Sequence, residues 1–213
     1  MILWSLLACR KPEPVFIPSP DLLAPLEEVN LAPEVPADGD NGHPEGVTFA
    51  SGQFEDGIYW AHAKANIAAP VSTVWTCFQD PETVVDRREV DEWSVDFDVE
   101  PEFDFSMTLH LIVVDFVTVD YDSLWLEEAV EGPETAPTRV VVTWQKSDGT
   151  NFIKLLSGSA VLTDDGDDVT RLELIAWLEA SSRDEQTLVS YLGDLAASVT
   201  ACAHGEPLPV YPP

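Results

Sequence analysis

The order of predicted elements after Gly57 constrains the fold of this chain most strongly. One strand is followed by two short helices, a long run of strands and a single amphipathic helix near the C-terminus. A strand-rich middle bracketed by helices predicts an α+β domain in which a curved antiparallel sheet wraps around the last helix. Such a wrap tends to enclose an apolar cavity, so the element order favours a binding function.

Two short helices are predicted directly after the first strand. Pro70 stands where a helix tolerates proline best, and the apolar residues from Val71 to Phe78 recur at the spacing of one helical face. Asp80 then precedes Pro81, which is the arrangement of an N-cap followed by a first-turn proline.

The strands are predicted from alternation and from the turns between them. Between Trp93 and Val99 apolar and polar residues alternate, which indicates a strand with one buried face. Gly132-Pro133, Asp148-Gly149 and Asp165-Gly166 mark turns, so we expect an antiparallel meander of about six or seven strands. The predicted strands are 58–68, 93–99, 105–118, 123–130, 139–146, 152–163 and 169–180.

A long helix is predicted after the last strand. Ser182 and Glu185 have the spacing of a capping box, and Gly205 is expected to end the helix. The apolar stripe between them steps by four and three, as on one face of a helix, through Leu188, Leu192, Leu195, Val199 and Cys202.

Two stretches of this domain resemble the START-like, or SRPBCC, helix-grip superfamily, which includes Bet v 1-like and polyketide cyclase-like proteins. They are AHAKANIAAPVSTVWTCFQDPETV, a strand running into the first helices, and SGSAVLTDDGDDVTRLELIAWLEA, the last hairpin before the long helix. The resemblance covers about Tyr59 to His204. It implies binding or sequestration of a hydrophobic small molecule or lipid in an internal cavity. A cyclase-like or hydrolase-like enzyme and a ligand-free protein-interaction module remain as alternatives.

The candidate cavity residues are the apolar positions expected to face the long helix. The alternative is that they simply fill a core. They are Trp93, Val95, Phe97, Met107, Leu109, Leu111, Val142, Trp144, Leu172, Leu174, Leu188, Leu192 and Leu195.

Further apolar residues alternate along the strands with several of the candidate cavity residues and therefore point to the opposite side of the sheet. They predict a second apolar face. Such a face would call for a cover, either a partner or the N-terminal segment. These residues are Ile112, Val114, Val141, Ile175 and Trp177.

Two cysteines lie on helices that the resembled fold brings near each other. There the two short helices lie under the C-terminal part of the long helix, so the resemblance implies that Cys77 and Cys202 can approach each other. The hypothesis is a disulfide, and the alternative is two buried free thiols.

No motif in the sequence supports a catalytic residue, a cofactor or a metal. Phosphate-binding glycine loops, nucleophile elbows and Cys-x-x-Cys pairs are absent from the sequence. His62 and His110, both on predicted strands, could meet across a sheet and bind a metal, although ordinary histidines are the simpler interpretation. The residues that could act as acid or base if they faced the cavity are Tyr59, Tyr121, Glu173 and Tyr191. Lys64 and Lys154 are candidate groups for orienting a ligand.

The N-terminal region predicts an anchor and a tether. Residues 1–8 are almost wholly apolar and are followed by Cys9, so that Leu6-Leu7-Ala8-Cys9 resembles the bacterial lipobox with Cys9 as the acylated residue. Residues 10–56 are rich in proline and acids and predict a disordered tether, residues 57–205 form the domain, and residues 206–213 form a tail. The expected location is the bacterial cell envelope, facing the periplasm or the cell surface, with membrane contact only through this anchor.

The chain is strongly acidic, with a formal net charge of -29. Most of the acidic residues belong to the predicted domain. Such a surface repels phosphate, which argues against nucleic acid as a partner and allows a cationic protein partner.

Overall fold

The computed structural model describes residues 23–26, 31–36, 44–114, 117–181 and 184–211. Within these residues the chain forms eight strands and three helices. The elements are β1 (Gly46–Gln53), β2 (Tyr59–Ile67), α1 (Val71–Phe78), α2 (Pro81–Val84), β3 (Glu92–Phe97), β4 (Phe105–Val114), β5 (Thr118–Glu131), β6 (Arg139–Gly149), β7 (Ile153–Asp164), β8 (Thr170–Ala180) and α3 (Glu185–Ala203).

All eight strands form one antiparallel sheet in the order β1-β2-β8-β7-β6-β5-β4-β3. The strands from β3 to β8 follow one another as a meander, and β2 pairs with the last strand. Helix α3 packs closely on β2, β1 and β8. The predicted α+β helix-grip architecture, a curved antiparallel sheet around a long C-terminal helix, is confirmed.

The sheet has one more strand than the sequence predicted, because β1 lies inside the segment 10–56 that was assigned to the tether. Its sequence, GVTFASGQ, has two glycines and no sustained alternation, so its pairing with β2 determines its conformation. Phe49 packs against the core, next to Gly193 of α3. The assignment of 10–56 to a tether was therefore wrong for 46–53. The two short helices, which were predicted after the first strand, follow the second strand.

The helix ends agree with the ends predicted from the sequence, except at the start of α3. Asp80 caps α2 by accepting a hydrogen bond from the Glu82 N–H at 3.0 Å, as predicted. For α3 the cap is Asp184, which accepts from the Thr187 N–H at 3.0 Å, whereas Ser182 lies outside the described residues. Gly205 ends α3 with a φ of 66°, a conformation that favours glycine.

A disulfide joins Cys77 of α1 to Cys202 of α3, with their Cα atoms 5.8 Å apart. It ties the C-terminal end of α3 to the first short helix. The two residues are separated by 125 positions in the sequence, so the bond closes a loop that contains most of the domain.

Tryptophans fill the centre of the inner face of the sheet. Trp125 and Trp144 stack with their ring centroids 4.8 Å apart, and Tyr191 of α3 meets Trp144 edge-on. Gly158 lies opposite Trp144 on β7, and a Cβ atom there would fall 2.1 Å from the indole ring. Only glycine at this position lets the indole lie across the neighbouring strand.

The outer face of the sheet is covered in part by residues 31–36, which we call the strap. The backbone N–H groups of Leu31 and Ala32 both donate to His62 Nδ1, at 2.8 and 2.9 Å. Because Nδ1 accepts, the ring proton lies on Nε2, which is 2.8 Å from Glu173 Oε1. This hydrogen bond is the main reason that the pKa of Glu173 is lowered.

Residues 23–26 and the strap together cover part of the predicted outer apolar face, and the Leu26 N–H donates to Ser159 Oγ at 2.9 Å beside Ile175. His62 points outward but is fully buried, and Val141 and Ile175 on the same face are also buried. At the other end of the sheet Val114 remains 57% exposed. Part of the predicted tether is thus a cover for the sheet.

Candidate functional site

A cavity of about 110 Å3 lies between the inner face of the sheet and the first turns of α3. It exists because α3 packs on β1, β2 and β8, while the sheet curves away from the helix at β4 and β5. Residues that follow α2 close one side and the turn between β6 and β7 closes another. The apolar residues of its wall include Leu109, Leu111, Trp125, Phe152, Leu178 and Leu188.

Polar groups are confined to a few positions of this apolar wall. Two acids come from the segment after α2, a phenol and a hydroxyl from β5, and a phenol and a hydroxyl from α3. They are Asp86, Glu89, Tyr121, Ser123, Tyr191 and Thr187.

Burial raises the pKa values of both Asp86 and Tyr191 inside the cavity. Burial raises the pKa of Asp86 to about 6, although its Oδ1 accepts a hydrogen bond from the Arg88 N–H at 3.0 Å. Burial also raises the pKa of Tyr191 well above its ordinary value, with further contributions from Tyr121 and Asp86. The Tyr191 phenol is therefore neutral at physiological pH and available as a hydrogen-bond donor.

Of the predicted cavity residues, Leu109, Leu111 and Leu188 line the cavity. Seven others are buried in the core around it and do not reach the cavity surface. These are Met107, Val142, Trp144, Leu172, Leu174, Leu192 and Leu195.

The prediction was wrong for the three residues of β3. Trp93 and Phe97 are 38% and 50% exposed, and Val95 is only partly buried. Their parity is correct, because they pair with inward-facing residues of β4. However, β3 is the edge strand, beyond the reach of α3, and strand alternation gives the face of a residue without giving its distance from the helix.

Sequence reasoning overlooked Asp86 and Glu89 as cavity residues because they lie in a loop without periodicity, and it overlooked Phe152 although this residue begins a predicted strand. Ser123 was also overlooked, although its inward parity next to Trp125 was a usable signal. Of the four acid or base candidates, Tyr121 and Tyr191 line the cavity, whereas Tyr59 does not and Glu173 faces outward.

The two strand histidines are far apart and do not form a site. Four strands separate β2 from β4 in the sheet, so His62 and His110 cannot meet. His110 lies between Asp96 and Asp122, and its hydrogen bonds to Asp122 and then Asp96 raise its pKa. Among the residues that the structure describes, no group of three or more His, Cys, Asp or Glu side chains could hold a metal ion.

The two candidate lysines also lie outside the cavity. Lys64 pairs with Glu34 of the strap at 2.5 Å, and Lys154 pairs with Glu179 on the surface. Neither lysine is positioned to orient a ligand in the cavity.

A second buried acid, Glu127, lies in the core on the inner face of β5. Its side chain is fully buried and its Oε2 accepts a hydrogen bond from Trp75 Nε1 at 2.6 Å. Burial raises the pKa of Glu127 from its ordinary value of 4.5 to about 8, and the Trp75 hydrogen bond opposes part of this rise. Glu127 is therefore protonated over most of the physiological range.

No family model and no curated protein matches this chain. Solved structures do match. Human STARD10 is 8% identical with a TM-score of 0.58, covering 91% of this chain and 82% of that protein. Human StAR-related lipid transfer protein 5 is 11% identical with a TM-score of 0.52, covering 76% of this chain and 84% of that one.

The lipid transfer and protein localization domain of human StarD13 (DLC2) is also similar, with 14% identity and a TM-score of 0.52. The match covers 76% of this chain and 85% of that domain. At these identities the matches show the START-like helix-grip fold. Across the described ranges, no helix combines the length and apolarity needed to cross a membrane.

Proposed function

We propose that this domain binds and sequesters an apolar small molecule or lipid in the cavity between the sheet and α3. The observation that carries the proposal is the apolar cavity itself, whose wall is interrupted by only a few polar side chains. Proteins of this fold include a lipid transfer protein and a lipid transfer domain, which supports the same function by analogy.

The cavity volume suggests the size of the ligand that fits without rearrangement. At about 110 Å3 the cavity is somewhat smaller than an engineered cavity of about 150 Å3 that binds benzene. One aromatic ring or a short alkyl segment would therefore fit directly, whereas a long lipid chain would require the walls to move. The driving force would be removal of apolar surface from water, at about 25 cal/mol per Å2.

Filling part of the cavity is expected to weaken binding of such a ligand. We expect Ser123→Leu to weaken binding of 3-phenylpropanol, measured by isothermal titration calorimetry, by about tenfold or more. The leucine side chain would occupy space that two ligand methylene groups need, and each is worth about 0.8 kcal/mol. Thr118→Leu is the matched control, because Thr118 lies exposed on the same strand outside the cavity.

Val119→Phe tests the same point from another position of the wall. It provides an independent result if Ser123→Leu lowers the stability of the fold. Unchanged affinity in both folded variants would contradict binding in this cavity. No binding of 3-phenylpropanol by the wild-type protein would instead favour a protein-interaction module.

We also propose that the chain is anchored in a bacterial envelope through Cys9, which lies outside the described residues. The lipobox-like sequence Leu6-Leu7-Ala8-Cys9 supports this, and so does the disulfide, since disulfides persist in oxidising compartments such as the periplasm. In a bacterial host, Cys9→Ala should move the protein from the membrane fraction to the soluble fraction. An unchanged distribution between the fractions would rule out the anchor.

A further inference from the structure

We propose that the free edge of β3 binds an extended segment of a partner protein in which apolar and basic residues alternate. The bound segment continues the sheet beyond β3, with its apolar side chains beside Trp93, Val95 and Phe97 and its basic side chains beside the acids of the opposite face. The site is separate from the cavity, because no residue of β3 lines the cavity wall.

The backbone of β3 has a row of hydrogen-bonding groups that face away from the sheet. Asp98, directly after β3, donates its N–H to the Ser106 carbonyl of β4 at 2.9 Å. Every second residue of an antiparallel strand bonds to the same neighbour, so the N–H and C=O groups of Trp93, Val95 and Phe97 point away from β4. In the part of the chain that the structure describes, no strand pairs with this edge.

The inner face of the same strand exposes large apolar side chains. Trp93 and Phe97 remain well exposed, although both pair with inward-facing residues of β4. Phe105 of β4 meets the Phe97 ring edge-on, with the ring centroids 6.0 Å apart, and leaves half of the Phe97 side chain exposed. Natural proteins usually protect a sheet edge with charges or proline and not with exposed aromatic rings. A strand added to β3 would cover both rings with its own alternate side chains.

The outer face of β3 and the loop after it are acidic. Glu92 and Asp96 are exposed on that face, and residues 91–104 contain several acids but no Lys, Arg or His. His110 lies between Asp96 and Asp122, at 3.1 and 2.8 Å, so this single imidazole faces two carboxylates. Even a protonated His110 leaves the outer face negative. Charge complementarity therefore favours basic residues at the alternate positions of a segment that pairs with this edge.

The same charges argue against a second copy of this chain as the occupant. If two β3 strands paired antiparallel about Val95, Trp93 of one copy would lie opposite Phe97 of the other, which is a favourable apolar contact. However, this register would also place Glu92 opposite Asp98, and like charges directly opposite each other destabilise a strand pair. Addition of a basic segment as a strand keeps the apolar contact and replaces the repulsion by attraction.

Two fluorescein-labelled heptapeptides of the same composition test the inference, by fluorescence anisotropy with the full chain at pH 7.5 and low salt. One peptide alternates lysine and valine, and the other places its valines together between pairs of lysines. We expect the alternating peptide to bind about tenfold more tightly, because only this order presents valines to one face of the sheet and lysines to the other. The equal charge of the peptides controls for a general attraction to an acidic protein.

Val95→Pro should weaken binding of the alternating peptide by about fivefold or more, since proline removes an N–H that faces the free edge and leaves the hydrogen bonds to β4 in place. Val95→Thr is the matched control, because threonine keeps both the N–H and the shape of the side chain. Glu92→Gln provides a second variant if the proline lowers the stability of the fold, and it should weaken binding about twofold or more. Its control, Asp168→Asn, removes one charge from an exposed turn whose φ of 57° asparagine tolerates, and should keep the wild-type affinity.

Equal affinity for the two peptides would overturn the inference, and so would wild-type affinity in a folded Val95→Pro variant. Absence of peptide binding would overturn it as well. In that case, a wild-type dimer in sedimentation that Val95→Pro dissociates would assign the edge to a second copy. Adsorption to phosphatidylcholine vesicles that Phe97→Ser abolishes would instead assign the exposed rings to a lipid surface. None of these outcomes bears on the proposed binding in the cavity.

Discussion

The variant Glu127→Gln is expected to remove most of the pH dependence of this domain's stability between pH 4.5 and pH 8. Glu127 is fully buried, and its pKa lies at about 8 in the folded protein, against an ordinary value of 4.5 that applies to the unfolded chain. Between these two values the folded state holds a proton that the unfolded state has released. The free energy of unfolding therefore falls as the pH rises through this window.

The expected effect of Glu127 is large. A pKa difference of this size corresponds to about 5 kcal/mol, since each pH unit contributes about 1.4 kcal/mol. The stabilising contribution is complete below pH 4.5 and is lost by about pH 8. A glutamine retains an oxygen that can accept the Trp75 hydrogen bond and has no proton to lose in this range.

Urea unfolding at several pH values measures the effect. The wild-type free energy of unfolding should decrease steeply from pH 5 to pH 8, and the Glu127→Gln curve should keep only the smaller decrease that the raised pKa values of Asp86 and His110 produce. Glu128→Gln is the matched control, because Glu128 is the next residue on β5 and points to the opposite face. A Glu127→Gln variant with the same pH slope as the wild type would show that the buried carboxyl group does not behave as its surroundings indicate.

Loss of the Cys77–Cys202 disulfide is expected to destabilise the domain by about 2–5 kcal/mol. The bond closes a loop of 125 residues, and a crosslink over such a distance strongly restricts the unfolded chain. The double variant Cys77→Ala/Cys202→Ala tests this expectation. Alanine is used instead of serine because a serine would place an unpaired hydroxyl group at the buried Cys77 position. Since many domains have only about 5–15 kcal/mol of stability, the variant should unfold at a much lower urea concentration.

Cys9→Ala is the control for this experiment, because Cys9 is not part of the disulfide. It should leave both the urea midpoint and the Cys77–Cys202 bond unchanged. Intact mass before and after reduction should differ by the two hydrogens of one disulfide in the wild type, and by none in the double variant. A loss of less than about 1 kcal/mol in the double variant would mean that packing alone holds α1 against α3.

Local sequence patterns predicted the elements of this fold well, because local chemistry determines them. Pro81 and the Asp80 cap predicted α2, and Gly205 predicted the end of α3. The alternation of apolar and polar residues predicted the later strands. Strand β1 was overlooked because its partner supplies the hydrogen bonds and its own sequence lacks alternation. The strap was likewise predicted as tether, since the buried His62 that binds it is 30 residues away in the chain.

The site was predicted less completely than the fold, for a geometrical reason. Leu109 and Leu188 follow from strand parity and helix spacing, and both line the cavity. Trp93 has the correct parity but lies on the edge strand, where the distance from α3 decides exposure. Asp86 and Glu89 reach the cavity from a loop, and the path of a loop depends on the packing of α2 beneath α3.

Ligand binding in the cavity is tested directly by diffraction from crystals of this protein soaked with bromobenzene, because the anomalous signal of bromine locates the ligand. We expect a bromine peak in the cavity, with ligand atoms within about 4 Å of Leu109, Leu188 and Trp125. Ser123→Leu crystals treated in the same way should lack the peak. An unoccupied wild-type cavity, with bromine bound only elsewhere on the protein, would contradict the claim that this cavity is a binding site.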